Sequence, residues 1–357
     1  MNVGIVSIWC NRGQATVARH IRSIFDGLGY RTFILARPVR SKASDTPVLM
    51  NDVWDQKDVT QASSHEIPMS EYREWVRKNS IDAIFCDQNY QFQEIERLRL
   101  MGVMTIGRFV WEKFSSQHIK KAKKAFEIIY SMTGCEQNRY KTMGIESPKV
   151  DWGCHPEITG ITAERPKDEF RIFFPASGMR KPVGIALEAF GKAGLPEHTK
   201  LILKSQEIRS KIDLGNYNVD TDPRIRWVTE DLDFEDYHKL FASAHICYCP
   251  SRWEGLGLHL YEAIAHGVPV ISNDIPPINE IITNGFNGIL VRSREAGLAK
   301  SGIPAYDPVP EDLVKALEES AGEARLQELI RNTLRRRDEM PWSRTISQFK
   351  DLLEGRK

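Results

Sequence analysis

The stretch from Tyr248 to Leu290, YCPSRWEGLGLHLYEAIAHGVPVISNDIPPINEIITNGFNGIL, gathers the residue types best suited to chemistry. Glu254 and Glu262 stand eight positions apart, with Gly255, Leu256, Gly257 and Leu258 directly after the first of them. Glycines let a ligand come close to the backbone, and the amides that open a helix near Leu258 can receive phosphate charge. The two carboxylates do not form an ordinary acid/base pair on one helix. A more coherent division has Glu254 accepting hydrogen bonds from sugar hydroxyls while the two oxygens of Glu262 take both hydroxyls of a ribose. The same positions are equally compatible with a solvated loop and an exposed helix face.

A diphosphate bound there would need positive charge to offset its oxygens and the charge that grows on a departing phosphate. Arg180 and Lys181 follow the strand pattern at Phe170–Phe174, and Lys204 ends the next one, so all three can converge at the carboxyl edge of one sheet. His259 and His266 have no spacing to Cys, Asp or another His that specifies a metal, and packing or surface roles are expected for both. Cys247 and Cys249 alternate around Tyr248 and should face one side of a strand as buried apolar groups.

These groups must be positioned by an alternating α/β framework. In the first half, MNVGIVSIWC reads as a buried strand, Asn11–Gln14 as a polar turn, and Val17, Ile21, Ile24 and Leu28 as a helix stripe ending at Gly29. Strands are expected at Arg31–Ala36, Ile81–Cys86, Val103–Ile106 and Ile128–Ser131. Asp87 would lie at a carboxyl strand end, where open sheets place ligand loops. Residues 37–66 are less periodic and read as a variable loop. A helix from Ser115 to Phe126 would turn Ile119, Ala122 and Phe126 inward and present Lys120, Lys121, Lys123 and Lys124, a local field for an anionic acceptor or lipid.

The second half repeats the pattern, with strands at Phe170–Phe174, Leu201–Lys204, Ile225–Val228, Ile246–Tyr248 and Val268–Ile271. Helices are expected at Pro182–Phe190, Phe234–Ser243 and Leu258–His266. The segment Thr159–Asp168, with Gly160 and Pro166, is the expected hinge. Arg335, Arg336 and Arg337 read as a solvated linker. Trp342, Ile346, Phe349 and Leu353 then make the stripe of a final helix.

Composition narrows the function. The 357 residues hold 49 Lys plus Arg against 48 Asp plus Glu, a formal charge of +1 that gives no global footprint for nucleic acid. With 41% hydrophobic and 27% charged residues the chain can build two domain cores. Six scattered cysteines without a CxxC pair fit a reducing, cytoplasmic setting. The opening residues lack a leader's charged start, and no apolar window reaches the length of a spanning helix, which leaves peripheral membrane contact as the expected limit.

Together the residues resemble the family-4 retaining glycosyltransferases, group 1 enzymes of GT-B architecture. Glu254 and Glu262 match the family's E-x7-E element, Gly255 and Gly257 its internal small residues, and Gly267–Ile271 its GxPVI continuation. Glu280 and Asn284–Val291 match the EI-x-x-G-x-NG-x-LV turn. The resemblance implies two Rossmann-like parallel-sheet domains facing a cleft. Residues 1–165 would form the acceptor-side domain and 169–335 the donor domain, with a C-terminal helix, 341–357, returning to the first.

It also implies that Glu262 binds the donor ribose, Glu254 the transferred sugar and the amides of Leu256–Leu258 sugar or phosphate. Lys181 would take the diphosphate, joined by Arg180 and Lys204. Pro175 and Ala176 stand where the family carries a glycine–arginine pair. Gly13 falls in the family's flexible closure loop without its usual second glycine. No histidine occurs in GRFVWE, 107–112, where the family often presents one, so Arg108, Glu112 and Asp87 are the acceptor-side candidates.

The implied reaction moves a sugar from a nucleotide-diphosphate donor, with UDP, GDP and ADP all open, to a carbohydrate, lipid-linked or small-molecule hydroxyl with retention. No metal or other cofactor is required where cations and amides compensate the phosphate, and nucleic acid is not an expected partner. The competing readings are a non-catalytic nucleotide-sugar binding or scaffold protein and an epimerase or hydrolase of related fold. A dehydrogenase is disfavoured because the first turn lacks GxGxxG.

Overall fold

In the computed structural model, all residues are described except 11, 39–55, 177–179, 208, 300–301 and 356–357. The chain forms two compact units, residues 1–151 with 343–357, and residues 152–342.

The first unit contains β1 (Asn2–Ile8), α1 (Gly13–Gly27), β2 (Arg31–Arg37), β3 (Val59–Gln61), α2 (Met69–Asn79), β4 (Ala83–Asp87), α3 (Phe92–Leu100), β5 (Met104–Arg108), α4 (Ile119–Ala125), β6 (Ile128–Ile129) and α5 (Gly134–Thr142). Its strands make one parallel sheet in the order β3-β2-β1-β4-β5-β6. The inner strands are buried along almost their whole length, as a sheet covered on both faces requires, so apolar runs replace alternation. The α1 stripe buries Val17, Ile21, Ile24 and Phe25, while Leu28 caps the helix end. Part of the expected variable loop, 39–55, and Asn11 of the first turn lie outside the described residues.

The second unit contains α6 (Pro156–Thr159), β7 (Phe170–Pro175), α7 (Val183–Lys192), β8 (Thr199–Lys204), β9 (Ile225–Val228), α8 (Phe234–Ala242), β10 (Ile246–Tyr248), α9 (Leu258–Ala265), β11 (Val270–Asn273), α10 (Ile278–Ile281), β12 (Gly288–Val291), β13 (Ser293–Leu298), β14 (Pro304–Pro308), α11 (Pro310–Ala321) and α12 (Glu323–Asp338). A second parallel sheet runs β12-β11-β10-β7-β8-β9, and β13 with β14 forms an antiparallel ribbon. Counted from its own first strand, this sheet has the same strand order as the first. In both, the order reverses beside the first strand, between β1 and β4 and between β7 and β10. Such a switch point opens a crevice at the carboxyl ends of the strands.

The unit boundary falls at Asp151/Trp152 rather than in the expected Thr159–Asp168 hinge. Packing is the reason: the Trp152 ring lies 4.9 Å from Trp342, His155 lies 4.6 Å from the same indole, and the Cys154 amide donates to Met340 O at 2.9 Å. These contacts tie 152–160 to the second unit. The final helix, α13 (Trp342–Glu354), returns to the first unit as expected. Its Phe349 is fully buried with ring centroids 6.2 Å from Phe25, 6.2 Å from Phe85 and 5.6 Å from Tyr130.

Arg335, Arg336 and Arg337 are not a linker. They form the last turn of α12, whose buried Leu326, Leu329 and Thr333 carry the helical period to its end. Arg335 stacks over Phe286, Arg336 donates to the carbonyls of Ile281 and Glu280, and Arg337 to Ala265 O. Cations in a last helical turn also complement its dipole.

Candidate functional site

In the second unit the loop after β7 and the loop after β10 meet at the switch point. Their backbones are joined by the Arg252 amide, which donates to Arg180 O at 2.7 Å. Lys181 projects from the first loop and is 9% exposed. Its ammonium donates to Glu254 Oε1 at 2.7 Å and to the Ser251 hydroxyl, and it lies 3.2 Å from His259 Nε2. Arg180 approaches the other Glu254 oxygen at 3.7 Å from a more exposed position. Arg180, Lys181 and Glu254 are therefore brought together.

Ser251 is fixed for this role: its amide donates to Asn273 Oδ1 at 3.0 Å and its hydroxyl to Cys249 O at 3.0 Å. Gly255, Leu256 and Gly257 are all buried as the chain turns into α9. Gly257 has φ +74°, and an added Cβ would stand 2.9 Å from Leu260 Cδ1, so the turn depends on glycine. Leu258 and His259 then open the helix, where backbone amides have no intrahelical acceptor.

The two glutamates sit in opposite electrostatic settings. Burial pushes the Glu254 carboxyl up, but the charges of Lys181, His259 and Arg180 outweigh it and hold the group at about 2. Glu262, one turn into α9, is equally buried and is raised by that burial, against weaker opposing effects of His259 and the Tyr237 hydroxyl. Tyr237 donates to Glu262 Oε2 at 3.1 Å, which fixes the orientation of the carboxylate.

Lys204 lies on the next strand at the same carboxyl edge, opposite Pro175 in the register. Its ammonium donates to Glu230 O at 2.9 Å and is lowered by burial, so it is held separately from the Lys181 cluster's contacts.

Sequence reasoning missed His259, Ser251 and Tyr237. The sequence predicts that His259 packs or faces solvent, and it instead touches Lys181. The available signal was its place as the second residue of a helix that begins at the glycine loop. His266 does pack as expected, with its Nε2 3.0 Å from His238 Nδ1 and burial lowering it to about 4. Cys247 and Cys249 are buried on one strand face with their thiols in contact. Burial acts to raise the Cys249 thiol, but the Cys247 contact and the neighbouring His259 and Lys181 outweigh it, so Cys249 belongs to the site's lining.

The first unit holds its own charged cluster at the carboxyl edge of its sheet. Asp87 ends β4 and pairs in register with Arg108 at the end of β5. Arg108 is 2% exposed, with Nη1 3.7 Å from Asp87 Oδ1 and Nε 3.1 Å from Glu136 Oε2. Glu136 was not foreseen, although Thr133-x-x-Glu136 is the pattern of a helix start: Thr133 caps α5 and the Glu136 carboxylate accepts the Met132 amide at 2.7 Å.

Burial raises Asp87 to about 6 despite Arg108 and Lys113, and raises Glu136 as well. Glu112 is buried in the turn after β5, and burial together with the charges of Asp87, Glu112 and Glu136 pushes the Tyr90 phenol up. Gly13 is not in a glycine-rich loop. It is the first residue of α1, where an added Cβ would meet nothing, and the next residue, Gln14, donates to Asp87 O at 2.9 Å.

Known proteins resemble the chain in part of its sequence and in its fold. Residues 172–303 match the family model described as Glycosyl transferases group 1. A 75-residue stretch is 36% identical to the lipopolysaccharide core biosynthesis mannosyltransferase LpsB of Rhizobium meliloti, covering 21% of this chain and 18% of that protein. Thus the chain matches under a fifth of the length of such curated relatives. Among solved structures, sucrose-phosphate synthase from Thermosynechococcus elongatus superposes with a TM-score of 0.76 at 14% identity, covering 99% of this chain and 98% of that one. Anabaena HepE in complex with UDP-glucose gives 0.72 at 12% identity, covering 99% and 100%. The protein has the GT-B fold of these neighbours, and its residues 172–303, which carry Lys181, Glu254 and Glu262, are similar to the glycosyl transferases group 1.

Proposed function

We propose that the protein is a retaining glycosyltransferase that moves a sugar from a nucleotide-diphosphate donor to an acceptor hydroxyl. The observation that carries this reading is the buried ammonium of Lys181, held by Glu254, Ser251 and His259 where two loops meet at the switch point of the second sheet. The carboxylate of Glu254 occupies the place at Lys181 that a phosphate oxygen would take. When the diphosphate enters, Lys181 turns to it, and Glu254 is released to accept hydroxyls of the transferred sugar. Glu262, aimed by Tyr237, takes the ribose hydroxyls.

As the bond between sugar and diphosphate breaks, negative charge grows on the leaving phosphate. Lys181, Arg180 and the opening amides of α9 stabilise it, and these groups are stronger in a buried site than in water. Retention follows if the acceptor enters on the leaving group's face and gives its proton to the departing phosphate. The Asp87–Arg108–Glu136 cluster, with Glu112, is assigned to the acceptor side. The acceptor class is a carbohydrate, a lipid-linked sugar or a small molecule, consistent with the names of the relatives.

The test is Lys181→Met. It should weaken UDP or GDP binding by about 10- to 100-fold, the worth of one or two charged hydrogen bonds, and leave uridine or guanosine binding unchanged. An equal effect on the phosphate-free nucleoside would reject the assignment. Donor consumption without an acceptor would favour the hydrolase or epimerase reading, and donor binding without turnover across acceptors would favour a scaffold.

A further inference from the structure

Among the described residues the exposed large apolar side chains are Leu100 (81%), Leu298 (68%), Met1 (49%) and Met101 (41%), and of these Leu100 and Met101 are adjacent. They end α3 and begin the turn that reaches β5 through Gly102, whose φ is +89°. This turn lies at the amino edge of the first sheet, the edge opposite the strand ends that present Asp87 and Arg108.

The carboxyl end of α4 arrives at the same edge. Ile119, Ala122 and Ala125 pack this helix into the core shared with Ile95 and Leu98 of α3, which leaves Lys120, Lys121, Lys123 and Lys124 all exposed. Arg99 ties the two helix ends together, donating to the carbonyls of Lys123 and Lys124 at 3.4 and 3.0 Å and meeting Glu127 at 3.9 Å. Its charge is thus used within the fold. Of the nearby acids, Asp82 accepts the Asn2 amide, Glu127 has Arg99, Glu96 is half-buried one turn before Leu100 beside the exposed Arg97, and Glu146 is exposed on the loop after α5. Lys123 and Lys124 in the last turn of α4, with Lys120 and Lys121 one turn back and Arg97 on α3, outnumber these acids and leave the edge positive around an apolar tip.

We propose that this edge docks the protein on an anionic lipid bilayer, with Leu100 and Met101 seated at the boundary of headgroups and acyl chains and the α4 lysines facing lipid phosphates. The observations select lipid over a protein partner by charge and shape. Two adjacent apolar side chains on a turn are too small a patch for a stable protein interface, whereas a bilayer accepts them without a complementary surface. Lysines, as mobile point charges, suit a fluid phosphate surface better than a fixed bidentate site. Neither signal suffices alone: an apolar anchor of this size is marginal, and stable attachment needs it combined with a basic patch. The inference does not depend on the donor-site reading.

The experiment sediments the full chain with vesicles of phosphatidylcholine containing about one-third phosphatidylglycerol, and with pure phosphatidylcholine, at low and high salt. Binding is expected only to the anionic vesicles, reduced by salt and unaffected by inorganic phosphate at the same ionic strength. Replacing Lys120, Lys121, Lys123 and Lys124 with Gln should lower partitioning by about fivefold per lysine. The exposed pair changed together, Leu100→Ser with Met101→Ser, should lower it about tenfold with an unchanged Tm. Lys192→Gln with Lys315→Gln, exposed positions of the second unit, should leave it as it was. Equal binding to neutral vesicles, no binding to anionic ones, or full binding by the Leu100/Met101 variant would overturn the proposal.

Discussion

Glu254→Gln tests the central ion pair most directly, because it removes a charge at constant shape. The carboxyl is held from an ordinary 4.5 down to about 2 while buried. At about 1.4 kcal/mol per pH unit, this is on the order of 3 kcal/mol of stability supplied by the ionised form. The sign is fixed by linkage. A carboxyl depressed on folding contributes its full stabilisation above its unfolded value and loses it as pH falls through the folded one.

The wild-type protein should therefore exceed the Gln variant by about 3 kcal/mol at pH 7, a Tm difference of roughly 6–12 °C for a unit of this size. The gap should close between pH 4.5 and about 2, where the wild-type carboxyl also becomes neutral. Urea melts from pH 7 to 3 follow the first and larger part of that closure. The ligand side provides a second reading: with Lys181 no longer held by a carboxylate, bare UDP should bind about tenfold or more tightly, while sugar transfer falls. A stability gap independent of pH, or UDP binding weakened along with transfer, would refute the idea that Glu254 and the diphosphate share one lysine.

Glu262→Gln should behave in the opposite way. Its carboxyl is raised on folding, so the ionised form costs stability at neutral pH, and the amide should be neutral or stabilising in a thermal melt. UDP binding should nevertheless weaken about 10- to 100-fold with pyrophosphate binding unchanged, and equal losses on both would remove its ribose role. Arg108→Met leaves Asp87 and Glu136 buried without their cation and should cost about 3–5 kcal/mol in chemical denaturation; a loss below ~1 kcal/mol would show that the cluster is not held by charge. Gly257→Ala forces a positive φ on alanine and a contact with Leu260, so melts should show a loss of at least ~1 kcal/mol and reduced UDP binding.

The legible part of the site was the part fixed by local spacing. Lys181 follows a strand, and Glu254 and Glu262 bracket a glycine turn and a helix start, so an α/β pattern alone carries them to one sheet edge. Ser251, Tyr237 and Glu136 depend on how distant segments pack, which no periodicity reports. His259 depends on the rotation of α9 about its axis, set by the αL turn at Gly257. The arginines at 335–337 were misread because charge was weighed before the stripe of Leu326, Leu329 and Thr333 that runs through to them. The strands β3, β12, β13 and β14 escaped because each is short or sits at an edge, and Gly288–Val291, read as part of a turn, is the edge strand β12.

The first unit is built from two separated pieces of chain, and this governs when it can mature during synthesis. Phe349 plugs the aromatic hollow formed by Phe25, Phe85 and Tyr130, yet the ribosome delivers it only after the entire second unit has been made. The nascent amino-terminal half must wait with that hollow open while its sister unit completes first. A polypeptide stopped just after α12 would keep an intact family-matched region and still carry an unsealed neighbour, a natural substrate for chaperones and proteases.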